Sequence, residues 1–212
     1  MPHYRDEAVV IRTHKLGEVD RIVTLLTKNH GQVRAVAKGV RKTSSRIGAR
    51  LEPFNVVDLQ LYEGRNLDTV SQVEQLANYG AVIIADYARY TAASAVVEAA
   101  ERFTREDSSS QHYMLVIGAL RALSLKEHAS DQILDSYLLR ALAISGWITN
   151  IDQCQGCAST ETVSFSVHSG SVSCQSCTMP GSVRLGVDGI SHISALLIGD
   201  WPGVGRANMA TR

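Results

Sequence analysis

The sequence predicts an α+β protein of several domains: a small five-stranded β-barrel, a helical middle, and a compact C-terminal module built on four cysteines. Three observations lead there. Apolar runs over the first 75 residues are short and separated by turn residues, the pattern takes on helical period beyond residue 76, and all four cysteines lie between residues 154 and 177. A chain of 212 residues can bury roughly 70% of its unfolded surface, and 45% hydrophobic with 20% charged residues is a globular rather than a disordered composition.

The barrel strands are expected at Ala8 to Ile11, Ile22 to Leu26, Val33 to Ala37, Phe54 to Tyr62 and Leu67 to Val73. Turn chemistry separates them at Leu16-Gly17-Glu18, Asn29-His30-Gly31 and Glu63-Gly64-Arg65-Asn66. In the fourth run Val57, Leu59 and Leu61 alternate with Asp58, Gln60 and Tyr62, the pattern of a half-buried strand. Closing five short strands into a barrel removes their exposed edges.

Beyond residue 76, Ile83, Tyr87, Tyr90, Ser94 and Val97 fall on one face of a helix, and nearby alanines permit close helix approach. Glu106 to Ser110 reads as a loop. Tyr113, Val116, Ile117, Leu120 and Leu123 mark a second helix, and a third runs from Ser130-Asp131 to about Gly146, burying Ile133, Leu134, Tyr137, Leu138 and Ala141. These stripes are read as helix-packing core. A last helix is expected near Ile190 to Ile198, whereas Pro202, Gly203 and Gly205 argue against a packed helix in the tail from Gly199 to Arg212.

Cys154-Gln155-Gly156-Cys157 and Cys174-Gln175-Ser176-Cys177 form two C-x2-C knuckles sixteen residues apart. That spacing can set four thiolates around one zinc ion, and Val163 to Val167 with Val172 supply the strands of a ribbon. Two disulfides or four free thiols are the alternatives, and a reducing compartment disfavours the disulfides. Four sulfur ligands leave no position for a water or substrate, so the zinc is expected to be structural. His168 is read as a turn residue rather than a ligand.

The formal charge is zero, but residues 1–50 hold eleven basic and four acidic groups. From Lys28 to Arg50 there is no acidic residue, and Lys28, Arg34, Lys38, Arg41, Lys42, Arg46 and Arg50 make a candidate phosphate-binding group. The segment from Arg41 to Arg46 reads as an exposed barrel loop. Only Tyr4, Phe54 and Tyr62 supply rings in the first 75 residues, and Phe54 is assigned to the core. Binding should therefore depend on phosphate charge more than on base stacking. No phosphate loop, nucleophile elbow or H-E-x-x-H occurs, and no catalytic residue is assigned. No apolar run approaches 18 residues and the first sixteen are charged, so neither a spanning helix nor a secretory signal is expected, and the compartment expected is the cytoplasm.

Tyr4 to Ile11, Leu16 to Ile22, Val36 to Lys42, Leu51-Glu52-Pro53-Phe54, and Ser145-Gly146-Trp147 ahead of Cys154 resemble the bacterial recombination mediator family RecO over nearly the whole chain. The resemblance implies an OB-fold barrel over 1–76, a helical domain over 77–150, a zinc module over 151–180 and a C-terminal helix and tail over 181–212. That tail is short of the further helix such proteins usually carry. It also implies binding to single- and double-stranded DNA, annealing of complementary strands, nucleoid association, and partnership with RecR and the single-stranded DNA-binding protein SSB in loading RecA. Arg121 and Arg140 are nominated to receive the acidic SSB tail. Two other readings compete: a protein–protein adaptor using barrel and ribbon as docking surfaces, and a zinc-dependent nucleic-acid enzyme, which would need an open metal site.

Overall fold

Five strands close on themselves within the first 78 residues of the computed structural model, which describes residues 2–42, 45, 47–105, 110–149 and 151–210. They are β1 (His3–Leu16), β2 (Asp20–Thr27), β3 (Gln32–Ala37), β4 (Asn55–Tyr62) and β5 (Asp68–Asn78), in the order β1-β2-β3-β5-β4. Only β3 and β5 run parallel, joined at Ala35↔Asp68 and Val36↔Thr69; every other pairing is antiparallel. This is the five-stranded OB-type barrel. β1 is long because it serves two neighbours, with its first half on β4 and its second on β2, and it bends at a register shift between Val10 and Arg12. Alternation fills the interior with Val10, Val23, Leu25, Val57, Leu59 and Leu61, all fully buried. Gly64 turns β4 into β5 where a Cβ would sit 1.9 Å from the Leu67 carbonyl oxygen.

Packing divides the chain into two compact units, Met1–Leu134 and Asp135–Arg212. In the first, the barrel is followed by α1 (Gly80–Ile83), α2 (Tyr87–Phe103) and α3 (Ser110–Leu125). Outward-facing Val9, Ile11 and Leu26 are buried as well, on the strands that α2 and α3 contact. Arg12 pairs with Glu101 at 2.7 Å, and the Tyr113 hydroxyl donates to Glu7 at 3.2 Å. Asp86 caps α2 by accepting from the Arg89 N–H. The buried face of α2 is Ala92, Ala93, Val96, Val97 and Ala100; of the expected stripe Ile83 and Val97 are buried, whereas Tyr87, Tyr90 and Ser94 are not. Small side chains let α2 approach closely, and Tyr87 and Tyr90 stay 83% and 46% exposed. The α3 stripe is as expected, with Tyr113, Val116, Leu120 and Leu123 buried. Glu106 to Ser109 lie outside the described residues.

The division between units falls inside α4 (Ser130–Ile144), where Ile133, Tyr137 and Ala141 are buried. The second unit continues with a three-stranded sheet of β6 (Ser164–Ser166), β7 (Ser171–Ser173) and β8 (Val183–Arg184), then α5 (Gly186–Ile198) and α6 (Trp201–Ala210). The tail is thus helical, contrary to expectation. Pro202 stands in the first turn, where its missing N–H costs no hydrogen bond. Gly203 lets the helix close on α5, since a Cβ there would lie 3.2 Å from the Ala195 Cβ, and Val204 is buried against Ala195 and Leu196. Among the described residues no helix is long and apolar enough to cross a membrane.

Candidate metal centre and nucleic-acid interface

The first knuckle folds back on itself through the Ala158 N–H, which donates to the Cys154 carbonyl at 2.9 Å, and the Cys154 N–H, which donates to the Ser159 carbonyl at 2.8 Å. The Gln155 N–H donates to the Val172 carbonyl and so ties that knuckle to β7, which leads directly into the second. The four sulfurs lie within 4.8 Å of one another, with Cys157 and Cys174 Sγ 3.7 Å apart. A tetrahedral ion with sulfur at about 2.3 Å needs edges of about 3.8 Å. The donor set therefore fits a metal ion of the zinc type, and the four cysteines are free thiols rather than two disulfides. At Gly156 a Cβ would meet the Cys177 sulfur at 3.0 Å, so a side chain at the knuckle would crowd the ligand.

Protons are not shared evenly across the cluster. The Cys174 backbone N–H is the main influence that lowers the Cys154 thiol to about 6. Cys177 is pushed up to about 12, chiefly by hydrogen bonding with the Cys174 sulfur. His168 lies in the turn between β6 and β7 and is not in the four-residue group, in keeping with its reading as a turn residue.

In the first unit the seven nominated cations do not form one cluster. Lys28 sits at the β2–β3 turn, 3.3 Å from Glu7, while Lys38 to Lys42 follow the far end of β3, about 20 Å away along six residues of strand. Arg50 donates to the Val73 carbonyl at 2.7 Å, and Arg46 lies outside the described residues. Exposed Arg34, Lys38 and Lys42 make no ion pair among the described residues. The start of the loop is a tied turn. Gly39 N–H donates to Asp20, Arg41 N–H to the Val19 carbonyl, and the Arg41 guanidinium to the Gly17 carbonyl at 3.0 Å.

Register adds two cations that reading along the chain did not single out. Lys15 is paired with Arg21, and Arg21 with Ala37, so both lie beside Lys38 at one end of the barrel. The signal was the turn at Gly17, since pairing strands symmetrically about it sets these residues opposite each other. Arg121 and Arg140 are exposed, without an ion pair among the described residues, and fall in different compact units.

A closed OB-type barrel with a basic end, followed by helices and a four-cysteine group that fits a metal ion, defines a modular protein class. Two family models match in succession: Recombination protein O N terminal over residues 1–79 and Recombination protein O C terminal over residues 84–212. The chain is 50% identical over 204 residues to the DNA repair protein RecO of Nocardioides sp., covering 93% of this chain and 84% of the relative. It is 48% identical over 210 residues to that of Streptomyces griseus and 49% over 203 residues to that of Bifidobacterium longum, in each case with 95% and 85% covered. The chain belongs to the RecO family, whose role is in recombinational DNA repair.

Proposed function

We propose that this protein is a DNA-binding recombination mediator that anneals complementary single strands and assists RecA loading, without a catalytic step of its own. The observation that carries the reading is the basic end of the barrel, in a chain matched by the RecO family over 1–79 and 84–212. Annealing requires two polyanions to approach, and cations that neutralise phosphates while leaving base edges unread permit pairing. Arg34, Lys38, Arg41, Lys42 and Arg46 serve that purpose. Lys28, paired with the Glu7 carboxylate, and Arg50, part-buried on the Val73 carbonyl, contribute less, whereas the Arg41 bond to the Gly17 carbonyl is exposed and leaves the guanidinium open to a phosphate.

The four cysteines hold one structural zinc, which folds a ribbon that has little core of its own, Ile151 and Val172, packed with Ile190 of α5. In this reading the barrel docks RecR, the helical segment receives the acidic SSB tail through Arg121 or Arg140, and the protein works in the cytoplasm on the nucleoid. The domain limits proposed for these tasks are 1–76, 77–150, 151–180 and 181–212.

The test is annealing of complementary oligonucleotides by purified protein, with zinc determined on the same sample. Accelerated annealing with one zinc per chain supports the reading. Zinc-loaded protein that neither binds nor anneals DNA refutes it in favour of an adaptor. For the tail site, an SSB-tail peptide should bind more weakly to an Arg121→Ala, Arg140→Ala variant, and unchanged affinity would remove both residues from it.

A further inference from the structure

The first unit contains a cavity of about 460 Å3 where the barrel passes into the helices, lined by Phe54, Asn55, Asn78, Ile84 and Tyr90 with Glu52 at its rim. We propose that this cavity takes an unpaired nucleobase from a single strand whose phosphates lie on the basic end of the barrel. The inference rests on the DNA-binding reading above and deepens it.

Ring chemistry is the first argument. Phe54 and Tyr90 meet edge to face at 6.0 Å and 82°. Tyr90 is 46% exposed, Ile84 64%, and Tyr87, one helical turn before Tyr90, 83%. An OB-type barrel short of rings in its own strands thus borrows one from α2, and at the cavity Tyr90, backed edge-on by buried Phe54, gives a flat base a ring to stack on.

Continuity of charge is the second. Lys38 follows Ala37, Ala37 is paired with Arg21, and Arg21 reaches Glu52 at the cavity rim at 2.6 Å. Glu52, the one charged residue of the lining, is neutralised by Arg21, so the phosphates of a strand are held at Lys38 beyond it and the lining itself suits the uncharged base. Asn78 accepts from the Ala81 N–H at 3.3 Å and keeps its amide N–H groups for a base oxygen or ring nitrogen.

Backbone strain is the third. Phe54 is held at φ 72, a left-handed conformation rare for a bulky residue, with its N–H bound to the Val10 carbonyl. Such outliers persist where surrounding structure over-determines them, ligand clamps among them.

The experiment compares a thymidylate strand with an abasic strand of equal length, across a salt series, for the full chain and for Tyr90→Ala, Tyr90→Phe and Ile84→Glu. Stacking one base is worth roughly five- to a hundredfold, so the wild type should prefer the base-bearing strand by at least about fivefold. Tyr90→Ala and Ile84→Glu should lose that preference while keeping the salt slope, and Tyr90→Phe should retain it because the ring does the stacking. Equal affinity for the two strands in the wild type, as when the cavity instead takes an apolar side chain of a protein partner, overturns the proposal. A preference that survives in folded Tyr90→Ala and Ile84→Glu also overturns it. Those results leave the DNA-binding reading intact, whereas failure to bind either strand refutes both.

Discussion

At the scale of single residues, the four sulfurs and one buried carboxylate have the sharpest consequences. Cys177 holds its proton up to about 12, so zinc uptake must displace protons, and zinc affinity should rise with pH and fall on acidification. Chelator competition between pH 6 and 8 checks this, and a flat profile would contradict the assignment of Cys177 as a thiolate ligand. Gly156→Ala should weaken zinc binding by about tenfold, the lower end of what disturbed ligand support costs, because the new Cβ would press on Cys177. In the barrel, the Asp6 side chain is wholly buried and accepts from the Asn29 N–H, the Asn29 amide and His30 Nδ1. Asn29 and His30 are exposed, so water takes over part of the lost bonding in Asp6→Ala, which should cost about 1.5 kcal/mol. Arg5 pairs with Asp58 while 66% exposed, and its replacement by Ala should leave stability nearly unchanged, since solvent screens the pair. Urea unfolding of the two variants measures the contrast.

At the scale of elements, α6 separates what sequence patterns reveal from what packing decides. The barrel strands were legible because turn residues and alternation are local, and the cysteine module because knuckle spacing is a geometric requirement. The tail helix was not legible, since Gly203 looks like a helix breaker until α5 is placed beside it. The α2 face was misread for a related reason: alanines carry little hydrophobic weight, yet they are the residues that permit close packing. The cations of β1 and β2 were missed because charge was read along the chain, and only register brings Lys15 and Arg21 to Lys38. Two substitutions in α6 test this account. Gly205→Ala, with nothing within 4 Å of the new Cβ, should stabilise by up to about 1 kcal/mol through helix propensity. Gly203→Ala should gain nothing or destabilise, since its Cβ would lie 2.3 Å from an Asp200 carboxylate oxygen and 3.2 Å from Ala195. Thermal unfolding of both variants decides, and equal stabilisation would mean that α5 and α6 are not packed as described.

At the scale of the whole molecule, one compact unit carries the basic barrel end and the other the four-cysteine group. Charge, not metal, should govern affinity for DNA. If Arg34, Lys38, Arg41, Lys42 and Arg46 each meet a phosphate, counterion release gives a log–log salt slope near −3.5 for single strands, from roughly −0.7 per contact. The most direct test is the salt dependence of single-strand binding and annealing, for the wild type and a Lys38→Ala, Arg41→Ala, Lys42→Ala, Arg46→Ala variant, with zinc measured in both. The account predicts a slope that flattens to about −0.7 in the variant, slower annealing on all sequences, and unchanged zinc. Equal slopes and equal annealing rates in the two proteins would contradict it, and would place any DNA site away from this end of the barrel.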